Sequence, residues 1–161
     1  MSLLQATAIT RTVQTGGSQN EPVPLQAGNC YAVAAVDPGW QLLRGPVYAV
    51  PKALERAGIA WRDVGLFEIH EAFAAQVLCT LKAWESERFC REKLDRAALG
   101  PIERTKMNPK GSSVALGHPF AATGARIVAT LAKQLKALGS GRGLISICAA
   151  GGMGVTAILE R

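Results

Sequence analysis

The chain has 161 residues, of which 48% are hydrophobic and 19% charged, so a disordered chain is excluded and one domain with a real core is feasible. Lysine and arginine outnumber aspartate and glutamate by 18 to 12, and the resulting charge of +6 suits anionic ligands without choosing among them. No apolar run reaches the roughly 18 residues of a membrane-spanning helix, so we expect no membrane span.

Residues 1–29 differ from the rest of the chain. Glycine, serine, threonine and asparagine dominate residues 15–20, and Pro22 and Pro24 follow, a pattern that is typical of turns. We therefore expect residues 1–29 to be an irregular, partly disordered segment. The folded domain is predicted over residues 30–161.

Strands and helices alternate from residue 30 onward. The apolar run 31–36 predicts a strand that ends at the turn residues 37–39. A proline suits the first turn of a helix, so a helix is predicted over 46–57 with Gly58 as its stop. Residues 64–69 predict a second strand.

A long helix is predicted over residues 71–93. Four bulky apolar residues recur there at helical spacing: Phe73, Val77, Leu81 and Trp84. Cys79 and Cys90 would then lie on one helix, too far apart to form a disulfide. Residues 95–107 are expected to form a connection that ends in a very short strand.

A third helix is predicted from Pro119 to a stop at Gly139. Its buried stripe would consist of four residues: Ile127, Leu131, Leu135 and Leu138. Residues 144–148 and 155–159 predict two closing strands, which the glycines between them would join as an antiparallel hairpin. The alternation of strands and helices predicts a single α/β domain.

Three reactive side chains lie at the ends of predicted elements. His70 follows the second strand, His118 precedes the third helix, and Cys148 ends a strand before a glycine-rich turn. Ligand sites of α/β sheets gather outside strand ends, so these three side chains can converge. Taken singly, each also has a structural interpretation: the histidines as packing or capping residues, and the cysteine as a small buried hydrophobe.

The remaining candidates favour packing. Cys30, Cys79 and Cys90 are interpreted as core or helix-face residues, and we expect the three tryptophans, Trp40, Trp61 and Trp84, to pack. Four cysteines without a C-x-x-C pair, together with two histidines, give no metal-binding pattern, so no metal is expected. The same cysteine usage, with no secretory signal in the sequence, favours the reducing cytoplasm.

Together, three motifs resemble those of the C-terminal half of thiolases, the acyltransferases that use CoA thioesters. They are His-Glu-Ala-Phe-Ala at 70–74, Asn108-x-x-Gly111 followed by Gly117-His118-Pro119, and Cys148 with the glycines after it. The resemblance covers about residues 30–161 and is nearest to the subgroup of the β-subunit of the fatty-acid-oxidation trifunctional complex. It implies a thiolase-like layered fold, a mixed sheet with flanking helices that forms half of the full thiolase core.

The resemblance also implies a reaction, the thiolytic cleavage of a 3-ketoacyl-CoA or the reverse Claisen condensation, with CoA thioesters as substrates and no cofactor. His118 would activate a nucleophilic cysteine and help to hold the thioester oxygen, and His70 would help to position a water or oxygen in the same oxyanion site. Cys148 would move the proton of the substrate α-carbon or of the CoA thiol. The N–H of Ala150 would be a donor of a second oxyanion site. Three residues would support the loops of the site: Asn108, Gly111 and Gly117.

Two residues depart from the family pattern. Ser112 replaces the usual second glycine of the asparagine motif, so the loop is expected to sit differently, and Ala150 replaces another glycine. The acyl-accepting cysteine of the family belongs to an N-terminal half that these residues do not contain. We therefore expect the isolated chain to be inactive in thiolysis.

The expected partners are acyl-CoA or CoA and either a second copy of the chain or a complementary thiolase N-terminal half. The predicted association surface is the third helix, with Ile127, Val128 and Leu131. An alternative function is a non-catalytic thiolase-like domain for assembly or acyl-CoA binding, although such a scaffold has no chemical need for all three reactive side chains. A nucleic-acid partner is not expected, because no basic segment is interleaved with aromatic residues.

Overall fold

A four-stranded mixed sheet forms the centre of the domain. The structure is a computed structural model that describes residues 30–161. Its strands are β1 (Cys30–Ala35), β2 (Leu66–Ile69), β3 (Arg142–Ala149) and β4 (Met153–Glu160). They are ordered β1-β4-β3-β2, with β2 and β3 parallel and the other two pairs antiparallel. The predicted hairpin is confirmed, whereas the prediction for residues 1–29 lies outside the described residues.

Helices cover both faces of this sheet. They are α1 (Pro38–Gln41), α2 (Gly45–Ala57), α3 (Ala74–Glu85), α4 (Glu87–Leu94), α5 (Ser113–Leu116) and α6 (Thr123–Leu138), with 3-10 turns at Trp61–Asp63 and Arg104–Lys106. α2 packs on β1 and β4, and α6 packs mainly on β3. Within residues 30–161, no helix is both long and apolar enough to cross a membrane.

The alternation of side chains along β3 divides the core into two clusters. Leu144 packs with residues of α2 and α3, including the fully buried Trp84, whereas the next residue, Ile145, packs against α6. Successive side chains of a strand point to opposite faces, so one strand serves both layers. The sheet is therefore buried between two helical layers where β3 crosses it.

The predicted long helix is two helices, because Ser86 interrupts it. Ser86 has extended backbone angles, and its hydroxyl oxygen accepts the N–H of Phe89 at 3.2 Å, which caps α4. The prediction that Cys79 and Cys90 share a helix is therefore wrong. Cys79 is exposed on α3, while the buried Cys90 thiol on α4 donates to the Ala83 carbonyl oxygen at 3.3 Å.

The predicted third helix begins later than expected. Ala121 has a left-handed φ of 66°, which a helix does not accommodate, so α6 starts at Thr123 rather than Pro119. Its last apolar residue, Leu138, is 63% exposed, which contradicts the predicted stripe, whereas the other three members of that stripe are fully buried.

The predicted association surface is also wrong. Ile127 and Leu131 are fully buried against the sheet and cannot meet a partner, and Val128 packs beside them. Large exposed apolar side chains lie instead on and near α3 and α5: Phe73, Leu78, Val114, Leu116 and Phe120. These exposed apolar side chains therefore lie on α3, on α5 and beside them rather than at the predicted positions of α6.

Two further predictions have opposite outcomes. Trp40 was expected to pack but is 66% exposed, because the single helical turn α1 buries none of its residues. The short strand expected near residue 107 is confirmed as an isolated parallel bridge between Met107 and Phe67.

Candidate active site

The parallel strands β2 and β3 end side by side at one edge of the sheet. Ile69 pairs with Ser146, and the His70 N–H donates to the Ser146 carbonyl oxygen at 2.8 Å. Cys148 follows Ser146 near the end of β3. The structure thus places His70 and Cys148 at neighbouring strand ends, where the alternation of strands and helices led us to expect them.

His118 reaches the same edge from the loop between α5 and α6. Its ring centroid lies 4.4 Å from that of His70, with the two planes inclined by 55°. His70 is only 1% exposed, whereas His118 is exposed and has the ring of Phe120 against it at 5.0 Å. The two histidines therefore form a pair with one buried and one accessible member.

Asn108 ties the loop that precedes α5 to the end of β2. Its side-chain oxygen accepts the Ile69 N–H at 2.7 Å, and its side-chain nitrogen donates to the Ile69 carbonyl oxygen at 2.9 Å. The same nitrogen donates at 2.7 Å to Glu71, whose other carboxylate oxygen accepts the Val114 N–H at 3.2 Å. Because Glu71 makes these bonds, the residues after His70 are held out of the helix, and α3 begins only at Ala74.

The serine that departs from the family pattern fits its position. Ser112 has an extended φ of −137°, which any residue adopts, and its hydroxyl donates to the Ile69 carbonyl oxygen at 3.1 Å. By contrast, Gly111 and Gly117 have φ of 79° and 84°, where glycine is favoured. The loop therefore gains an anchor from the serine and needs no glycine there.

Three residues that the sequence analysis did not single out support the histidines. The Ser113 hydroxyl lies 2.9 Å from His70 Nδ1 and accepts a hydrogen bond from Arg126 Nη2, also at 2.9 Å. The Thr123 hydroxyl lies 2.7 Å from His118 Nδ1. The sequence carries no signal for the Ser113 contacts, because they join residues that are 43 and 13 positions apart.

Burial shifts the pKa values of three groups near this edge toward their neutral forms. Burial, assisted by the neighbouring His118 and Arg126, lowers the pKa of His70 from 6.5 to about 4. Burial also raises the pKa of the Cys148 thiol, so it remains protonated near neutral pH. Burial raises the pKa of Glu68 too, which lies on the α6 side of β2 and accepts a 2.6 Å hydrogen bond from Gln134.

The turn after Cys148 is shaped by its second glycine. Gly152 has a φ of 81°, and a Cβ there would lie 2.3 Å from the Val36 carbonyl oxygen, so no larger residue fits. The Gly152 carbonyl oxygen accepts the Val36 N–H at 2.9 Å, which fixes the turn to the end of β1. Ala150 is exposed in this turn.

The arrangement combines a buried neutral imidazole, an accessible imidazole and a neutral thiol. Imidazole and thiol are groups that move protons near neutral pH. Residues 30–161 contain no cluster of three or more histidine, cysteine, aspartate or glutamate side chains that could hold a metal ion. The imidazole and thiol groups at this edge offer acid-base chemistry.

Comparison with protein families gives this site a context. Residues 23–161 match the family model of the thiolase C-terminal domain. The chain belongs to the thiolase family. The thiolase-like layered fold implied by the three motifs is confirmed, because solved structures of thiolases share it.

Thiolases from several organisms are similar to this C-terminal domain. The 3-ketoacyl-CoA thiolase of Erwinia tasmaniensis is 49% identical over 138 residues, which cover 85% of this chain and 32% of that protein. The structure of Bacillus anthracis acetyl-CoA acetyltransferase matches with a TM-score of 0.66 and 38% identity over 86% of this chain and 31% of that chain. Human mitochondrial 3-ketoacyl-CoA thiolase, solved in complex with CoA, matches with a TM-score of 0.65 and 34% identity over 81% of this chain and 29% of that chain.

The thiolase relatives are longer than the sequence analysed. The chain spans about a third of the length of the curated relatives it matches. Family membership is therefore established for the C-terminal domain.

Proposed function

We propose that this domain supplies the acid-base residues of a thiolase active site that cleaves a 3-ketoacyl-CoA with CoA or catalyses the reverse Claisen condensation. The ring contact of His70 and His118 beside the strand end that carries Cys148 is the observation that carries the proposal. A domain used only for assembly has no need for two histidine rings in contact and a buried thiol at one strand edge. The acyl-accepting cysteine belongs to the thiolase N-terminal half, which would meet this edge.

In the cleavage direction, His118 takes the proton of the acyl-accepting thiol, and the thiolate attacks the 3-keto carbon. The bond between the α- and β-carbons then breaks, and Cys148 gives its proton to the departing acetyl-CoA carbanion. The Cys148 thiolate next takes the proton of the incoming CoA thiol, whose sulfur attacks the acyl-enzyme, and the acyl-accepting cysteine regains its proton from His118. Each proton removed is thereby returned within one cycle.

The environment of each group suits this series of proton transfers. His118 is the exposed member of the histidine pair, which leaves it accessible to a thiol on another domain. The raised pKa of Cys148 keeps a proton available for a carbanion, which is a much stronger base than the thiolate it leaves behind. His70 is neutral, and its N–H would donate to an oxygen that becomes negatively charged in one oxyanion site, whereas the N–H of Ala150 would serve a second such site.

The proposed substrates are CoA thioesters, with no cofactor. The complex of the human relative with CoA supports this choice. A place in fatty-acid β-oxidation and a cytoplasmic location remain predictions. The proposed partner is a thiolase N-terminal half or a second copy of this chain. Light scattering over micromolar concentrations, with and without the N-terminal half, tests this association. A chain that stays monomeric and binds no N-terminal half would contradict it.

Reconstitution tests the proposed reaction. The full chain would be assayed with acetoacetyl-CoA and CoA, alone and mixed with a separate N-terminal half of a 3-ketoacyl-CoA thiolase. We expect no turnover from the chain alone and turnover from the docked complex. His118→Ala should lower the recovered rate by about 10² or more, whereas Cys79→Ser, on the exposed side of α3, should leave it unchanged.

Cys148→Ser separates the two proton transfers. It should reduce complete turnover more than it reduces single-turnover formation of the acyl-enzyme from a simple acyl donor. A complex that docks but shows no turnover would refute the catalytic proposal and favour the non-catalytic alternative.

A further inference from the structure

Each histidine of the site is hydrogen-bonded through Nδ1 to a hydroxyl group. His70 Nδ1 lies 2.9 Å from Ser113 Oγ, and His118 Nδ1 lies 2.7 Å from Thr123 Oγ1. A neutral imidazole carries one proton, on Nδ1 or on Nε2, and the bare nitrogen is an acceptor. The direction of each hydroxyl bond therefore decides which nitrogen of that ring carries the proton.

For His70, the guanidinium of Arg126 sets the direction. Arg126 can only donate, so the Ser113 oxygen accepts from Arg126 Nη2 at 2.9 Å and its single hydrogen is left for another acceptor. Within residues 30–161, His70 Nδ1 is the acceptor in reach of this buried hydroxyl. A proton on Nδ1 would leave the hydroxyl hydrogen unbonded, which disfavours that tautomer at least about fivefold. His70 thus carries its proton on Nε2.

For His118, a backbone carbonyl group sets the opposite direction. The Thr123 hydroxyl donates to the Pro119 carbonyl oxygen at 3.1 Å, so its oxygen is free to accept from His118 Nδ1. If the hydroxyl hydrogen turned to Nδ1 instead, the bond to Pro119 would be lost and the pair would keep one hydrogen bond rather than two. His118 thus carries its proton on Nδ1 and has a bare Nε2.

We propose that Ser113 with Arg126, and Thr123, are positioning residues that hold the two neighbouring histidines in opposite tautomers. His70 then presents an Nε2–H donor and His118 an Nε2 lone pair. This division deepens the proposed function and rests on it for its purpose: a donor for a carbonyl oxygen and an acceptor for a thiol proton are the two groups that thiolysis needs. The tautomers themselves follow from the hydrogen bonds alone.

The surroundings of His70 are compatible with a neutral ring. The groups that face it are His118, Arg126 and Glu71, of which the first two disfavour a second proton and the carboxylate favours one. Burial has the largest effect and also disfavours it, so the ring is neutral at neutral pH. The hydroxyl bonds therefore act on a ring that has one proton to place.

Nitrogen NMR spectroscopy of the full chain tests the proposal directly. The sequence contains only two histidines, so a sample labelled with ¹⁵N-histidine gives four ring nitrogens, and His70→Asn assigns them. Multiple-bond ¹H–¹⁵N spectra at about pH 8, above the ordinary histidine pKa of about 6.5, distinguish the protonated from the bare nitrogen. We expect Nε2–H for His70 and Nδ1–H for His118, each at least about fivefold over the other form.

Matched variants separate the two hydroxyl groups. Ser113→Ala should leave His70 as a mixture of tautomers without changing His118, and Thr123→Val should do the reverse. Ser113→Thr and Thr123→Ser, which keep the hydroxyl, should retain the wild-type pattern. A merely structural role for these hydroxyls would not move the tautomers.

The wild-type spectrum alone can overturn the proposal, so variants that fail to fold do not leave it undecided. The proposal is wrong if both rings show the same tautomer, if the two are exchanged, or if Ser113→Ala leaves His70 unchanged. The spectra require no substrate and no second domain. If the two histidines have opposite tautomers but the docked complex is inactive, only the proposed function is refuted. If the complex is active but the two tautomers are identical, only this inference is refuted.

Discussion

Replacing His70 by asparagine should weaken the dependence of stability on pH. Burial lowers the pKa of this histidine from 6.5 in the unfolded chain to about 4 in the fold. Between these two values the unfolded chain binds a proton that the folded chain does not, so stability falls as the pH is lowered. The full stability is present above about pH 6.5, and the loss is complete below about pH 4.

The size of the effect follows from the pKa difference. One pKa unit corresponds to about 1.4 kcal/mol, so the complete loss is roughly 3 kcal/mol. At about pH 5 the unfolded histidine is nearly all protonated and the folded one nearly all neutral, and the loss relative to pH 7.5 is about 2 kcal/mol. His70→Asn removes this contribution, because asparagine does not titrate.

Urea unfolding measures this pH-dependent contribution of His70, with tryptophan fluorescence, including that of the buried Trp84, as the probe. The free energy of unfolding would be determined at about pH 5 and pH 7.5 for the wild type and for His70→Asn, and the two changes compared. Other titrating groups contribute alike to both proteins and cancel in this comparison. If the variant loses as much stability as the wild type between these pH values, the buried neutral histidine is refuted.

Three further predictions use the same unfolding assay. Burial raises the pKa of Glu68, so the wild type loses stability as the pH rises above 4.5. The free energy of unfolding of Glu68→Gln, relative to that of the wild type, should therefore increase from pH 5 to pH 7.5, and a decrease would contradict this prediction. Leu131→Ala on the buried face of α6 should cost about 3–5 kcal/mol, whereas Leu138→Ala at the exposed C-terminal end of α6 should stay within about 0.5 kcal/mol, and equal costs would refute this difference in packing. Gly152→Ala should lower the free energy of unfolding clearly more than Gly151→Ala. Both glycines have a left-handed φ, but only at Gly152 would the added methyl group clash with a backbone oxygen. A larger loss of stability for Gly151→Ala would refute this contact.

Hydrophobic spacing predicted the elements of the fold but not their ends. The stripe of α6 was correct up to Leu135 and failed at Leu138, because the helix runs past the sheet that buries its earlier turns. Likewise, the helix predicted over 71–93 extended beyond its last spaced apolar residue, Trp84, although the capping bond of Ser86 starts a new helix there. Spacing reports which residues are apolar, whereas helix ends depend on single hydrogen bonds and on the extent of the neighbouring layer.

The residues of the site also differ in how well the sequence predicted them. The motifs pointed to His70, His118 and Cys148, because reactive groups at strand and helix ends stand out in a sequence. Ser113 and Arg126 do not stand out, since serine and arginine are ordinary surface residues. Their contacts with each other and with the histidine that follows β2 depend on where α5 and α6 lie relative to the sheet, which no local pattern specifies.

Two adjacent serines show how the fold prepares the site without a ligand. The Ser112 hydroxyl bonds the backbone at the end of β2, and the Ser113 hydroxyl bonds the ring of His70, the residue that follows this strand end. The loop that orients the histidine is therefore anchored to the strand that carries it. Since both bonds lie within this one domain, the orientation of His70 does not depend on the arrival of a second domain, and docking has only to bring the nucleophile to a ring already in place.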